Sequence, residues 1–70
     1  MYTPPDTLIP GDLDLVGLDG NALVIMGAVN KALRKAGNDA ETIDSVMGEM
    51  TSGDYDHLLQ VALAVTDGTL

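Results

Sequence analysis

Few residues in this chain are able to do chemistry. It has one histidine, His57, no cysteine, and two serines, Ser45 and Ser52. Nucleophilic catalysis requires a nucleophile held against a base, and neither serine stands in an elbow or triad context. His57 follows Asp54 by three residues, so both lie on one face of a helix, where they could form a base with its orienting acid or part of a metal site. The plainer reading is preferred: Asp54 caps a helix, and His57 lies in its first turn, bonded locally to that cap. The sequence therefore offers no catalytic residue, and the expectation is a protein that is not an enzyme.

Asp12, Asp14 and Asp19, followed by Gly20 and Asn21, are spaced closely enough to suggest calcium, a hard cation that takes oxygen ligands. The pattern lacks a third ligand at Val16 and a glutamate that would close a twelve-residue loop, so no metal is expected. Gly17 and Gly20 ahead of a helix could present N–H groups to a phosphate. No phosphate-loop lysine accompanies them, and Asp19 would repel the anion, so Asp19 is read as the helix cap. No cofactor is expected.

Eleven acidic residues against three basic ones give a net charge of −8. A nucleic-acid backbone would be repelled, and direct nucleic-acid binding is not expected. The three cations, Lys31, Arg34 and Lys35, fall within five residues. Cations in the last turns of a helix complement its dipole, which is the preferred reading. The alternative is a small anion or ligand contact made by Lys31, Arg34 and Lys35, with Tyr55 offering a ring to a base.

The elements that must position these residues fit into one small domain, because 70 residues bury only a modest core. Hydrophobic residues make up 46% of the chain, which argues against disorder despite the charge. Without cysteine there are no disulfides to brace so small a core, so self-association is expected. The first ten residues lack the charged start and long apolar run of a secretory signal, and no uncharged stretch is long enough to span a bilayer. A cytoplasmic protein without membrane contact is the expectation.

Pro4, Pro5, Pro10 and Gly11 predict an extended arm over 1–11, ahead of a single helical domain over 12–66 and a tail over 67–70. Alternating Leu13 and Leu15 suit a short strand or lid. A first helix is predicted over 20–36, with Ala22, Ile25, Met26, Val29, Leu33 and Ala36 inward and Gly37 ending it. Leu23, Val24 and Ala28 carry apolar character around its first half and are the expected oligomer interface. Asn38 and Glu41 suggest a capping box for a second helix over 39–51, with Ile43, Val46, Met47 and Met50 inward. Asp54 is expected to cap a third helix ending near Ala64, with Tyr55, Leu58, Leu59, Ala62 and Leu63 inward. Tyr55 suits a core anchor or an interface contact equally. The tail is expected to fray rather than pair as a strand beside residues 13–16. The predicted fold is all-α, or mostly α with a short N-terminal strand: a compact three-helix unit behind the arm.

Two stretches, Leu15-Val-Gly-Leu-Asp-Gly-Asn-Ala22 and Thr51-Ser-Gly-Asp-Tyr-Asp-His-Leu-Leu-Gln60, resemble a family of small uncharacterised proteins of bacterial and bacteriophage genomes. The resemblance covers residues 13–61, with Leu23 standing where relatives often carry an aromatic. It implies a phage-type accessory protein, located in the host cytoplasm, that acts in anti-defence by blocking a host protein. An acidic surface of Asp12, Asp14, Asp19, Asp39, Glu41, Asp44 and Glu49 would suit a partner with a basic face, such as a nucleic-acid-binding protein. The alternatives are an oligomeric sponge that sequesters a small nucleotide signal, and a structural oligomerisation module.

Overall fold

The computed structural model describes residues 2–15 and 17–67. Three helices make up the fold: α1 (Ala22–Ala36), α2 (Ala40–Met50) and α3 (Tyr55–Val65). Each packs against the other two, giving the all-α three-helix unit that the periodicity predicts. Among the described residues there is no strand, only an isolated parallel bridge between Gly11 and Thr66.

Local chemistry sets the helix ends. At α1 the cap is Asn21, whose side chain accepts the Leu23 N–H at 2.9 Å. Asp19, expected in that role, stands two residues earlier and accepts the Asn21 N–H at 2.9 Å, fixing the capping residue itself. α1 ends on Gly37 at φ 103°, a left-handed conformation natural to glycine. α2 is capped by Asp39, which accepts the Thr42 N–H at 2.8 Å, so the expected Asn38–Glu41 capping box does not form. Asn38 instead exchanges two 2.8 Å bonds with the backbone of Ile9 and donates to the Leu33 carbonyl. Asp54 caps α3 as expected.

The core is built around Val29, Leu33, Val46, Met50, Val61 and Val65, all essentially inaccessible to solvent. Each such side chain contributes roughly 1.5–3 kcal/mol of hydrophobic stabilisation. Ala32, Val61 and Val65 join the core although the predicted stripes omit them, whereas Met26, Met47, Leu59 and Leu63 are half-buried at its edge. The buried arcs of α1 and α3 are wider than the stripes because these two helices also carry the amino-terminal segment, with Gly11 lying against Ala32 and bonded to the Val65 carbonyl.

The amino-terminal segment is docked rather than loose. Tyr2 and Leu8 pack against the core, and Ile9 is tied to Asn38. Gly11 donates to the Val65 carbonyl at 2.9 Å and accepts from Asp67 N–H at 3.0 Å, and Asp67 accepts the Leu13 N–H through its side chain. The expected pairing or fraying beyond Asp67 lies outside the described residues.

Candidate ligand groove between the first two helices

Lys31 and Arg34 lie on the exposed side of α1 and open onto a groove of about 330 Å³ lined by Met26, Gly27, Asn30, Lys31, Arg34 and Met47. Arg34 donates from Nη2 to Asn30 Oδ1 at 3.2 Å, which aims the guanidinium along the helix face. Among the described residues, no carboxylate forms an ion pair with Lys31, Arg34 or Lys35, although the chain carries eleven acids. Gly27 leaves the groove floor without a side chain, and the two methionines give it soft apolar walls. Such a surface suits a ligand with a flat apolar part and an anionic end.

The three clustered cations are split by the fold. Lys35 turns to the other flank of α1, beside Ile9, Pro10 and Asp12, while Lys31 and Arg34 share the groove. Asp44 borders Arg34 from α2 in an adjoining depression. Tyr55 is neither in the core nor near the groove. It is 44% exposed, and its hydroxyl donates to the Gly20 carbonyl at 2.6 Å, at the opposite end of α1. Within one chain it stands about 20 Å along the helix from Arg34.

His57 is placed differently from the Asp54 pairing considered above. Asp54 takes only its backbone N–H, while the imidazole Nε2 lies 2.7 Å from Glu49 Oε2 on α2 and 3.5 Å from Ser52 Oγ. A Ser-His-Asp triad needs its nucleophile and its acid on opposite ring nitrogens, and here both contacts fall on Nε2. Ser52 also donates to the Glu49 carbonyl at 2.7 Å, and a methyl group at Gly53 would stand 3.0 Å from the imidazole. The cluster therefore ties the α2–α3 corner together. The Glu49–His57 pair has no sequence signal, because it joins residues on two helices.

The acids Asp12, Asp14, Asp19, Asp39, Glu41 and Asp44 are exposed, and Glu49 is half-buried against His57. Hydrogen bonds from Thr42, first its side chain and then its backbone, hold the Asp39 carboxyl below its ordinary range. Among the described residues no three His, Asp or Glu side chains gather in a way that could hold a metal ion. Leu23 is 77% exposed and Val24 41%, while Ala28 is half-buried. Among the described residues no helix is long and apolar enough to cross a membrane. Comparison with family models, with curated proteins and with solved structures finds no match.

Proposed function

We propose that this is a small non-enzymatic binding protein that sequesters an anionic small molecule of nucleotide type in the α1–α2 groove. One observation carries the reading: Lys31 and Arg34, in a chain of net charge −8, meet at an apolar-walled groove, and among the described residues no acid forms an ion pair with either. Dipole compensation accounts for cations late in α1 but not for their convergence on that groove. The overall negative charge does not defeat binding at contact distance, because charges beyond roughly 8 Å are screened at physiological salt. Sequestration needs no chemistry at His57, only tight stoichiometric binding. The resemblance to phage and bacterial proteins supplies a setting in which removing a small signal from solution is useful.

Calorimetric titration with nucleoside mono-, di- and triphosphates, with inorganic phosphate as control, tests this directly. The expected result is saturable binding of a nucleotide that weakens by about tenfold or more in Arg34→Gln, since hydrogen bonds to a charged group contribute roughly 1.5–3 kcal/mol. Absence of heat across the panel would remove the reading.

A second reading, blockade of a basic host protein, is favoured by the exposure of Asp12, Asp14, Asp19, Asp39, Glu41 and Asp44. It expects capture of a nucleic-acid-binding partner that is released steeply by salt. Salt-insensitive capture would count against it.

A further inference from the structure

The groove that holds Lys31 and Arg34 does not end at Arg34. A second depression of about 400 Å³ adjoins it along the α1–α2 cleft, lined by Asn30, Arg34, Asn38, Ala40, Ile43 and Asp44. Asn30 and Arg34 border both, so Arg34 stands on the divide. Met26, Gly27 and Met47 lie on one side of it and Asp44 on the other. From Gly27 to Arg34 the cleft runs about 10 Å along α1.

The two compartments differ in what they offer an anion. Lys31 and Arg34 supply two positive charges in the first. A terminal phosphate carries about −1.5 to −2 at neutral pH, so one phosphate group matches them. The second compartment has no cation besides Arg34. The Asn38 amide, which lines it, donates to the carbonyls of Ile9 and Leu33 at 2.8 and 2.9 Å, so both its N–H groups are used. The head of α2 would otherwise attract an anion, but the Asp39 carboxylate already caps it through the Thr42 N–H. Asp44, exposed on the next turn of α2, adds a negative charge.

We propose that the groove takes a nucleotide with a single phosphate group and that Asp44 excludes longer phosphate chains. This rests on the ligand reading above and narrows it. With the base between the two methionines and the phosphate on Lys31 and Arg34, any further phosphate points past Arg34 toward Asp44. Like charges then meet within a few ångströms, where salt screens them little. Asp44 thus sets specificity by repulsion, penalising the wrong ligand rather than adding a contact to the right one.

The test is calorimetric titration at low salt, with magnesium chelated, of each of the four nucleoside monophosphates against its own triphosphate. The natural chain is expected to bind the monophosphate about tenfold tighter or more. Asp44→Asn is expected to narrow that gap to about threefold or less, and Asp44→Lys to reverse it. The ratio of two ligands on one protein is what is read, and a merely structural role for Asp44 would lower both affinities without moving it. Thermal unfolding of each variant checks that it is folded. Equal or tighter binding of the triphosphate by the natural chain, or a ratio unmoved in both variants, overturns the proposal. Nucleotide binding without this preference leaves the ligand reading standing and removes the role of Asp44 alone, whereas no heat with any nucleotide removes both.

Discussion

The Tyr55 hydroxyl reaches the Gly20 carbonyl at 2.6 Å across 35 residues of sequence. That bond joins the Asp-Gly-Asn-Ala turn before α1 to the Ser-Gly-Asp-Tyr-Asp-His corner before α3. The turn before α1 and the corner before α3 are thus joined directly. Around it, Asp19 fixes Asn21, Asn21 caps α1, Asp54 caps α3, and His57 returns to Glu49. Each of those residues makes a bond that holds a helix end or the corner in place.

Tyr55→Phe keeps the ring and removes only the bond to Gly20. The expected loss is about 1 kcal/mol, the usual net worth of a neutral hydrogen bond, read as a lower urea midpoint with unchanged slope. No loss would mean that water replaces the contact at no cost.

Gly11→Ala probes the docking of the amino-terminal segment. Its methyl group would stand 3.0 Å from Ala32 Cβ and 3.1 Å from the Ala32 carbonyl carbon, so the backbone must move. A destabilisation of about 1–3 kcal/mol is expected, with faster amide exchange at Gly11 and Asp67, whose mutual bonds depend on the approach.

Tyr2 has a buried hydroxyl oxygen with no hydrogen-bond partner among the described residues. Burial, and secondarily the Glu49 charge, push its ionisation above the ordinary value of 10.0. Because the folded state holds the proton more tightly, stability falls as pH rises through 10.0, where the unfolded chain ionises first. Tyr2→Phe is expected to raise stability by about 1 kcal/mol at neutral pH and to remove this alkaline loss, read by thermal unfolding across pH.

Asp39 carries the opposite sign. Its carboxyl ionises below the ordinary 3.8, chiefly through its bonds from Thr42. The stabilisation is therefore complete above that value and is lost as pH falls below it toward the lowered folded value. Asp39→Asn retains a capping oxygen and flattens this acid limb, whereas Asp39→Ala destabilises α2 at neutral pH as well. Denaturation midpoints for the three proteins between acid and neutral pH distinguish these outcomes.

By itself the sequence determined the three helices, the Asp54 cap, the Gly37 stop and most of the buried stripe, because these depend on spacing, on capping side chains and on backbone freedom within a few residues. It also located the exposed Leu23 and Val24 and the clustered cations. Only the tertiary structure decided that Asn21 and Asp39, not Asp19 and Asn38, cap α1 and α2. Neighbouring acids and amides are equally able to cap, and the choice fell to the contacts Asn38 makes with Ile9 and Leu33. The fold likewise separated Lys35 from Lys31 and Arg34, paired His57 with Glu49, and set Tyr55 at Gly20 rather than in the core. Each of those relations depends on the rotation of one helix against another, which a helical repeat in a single segment does not encode.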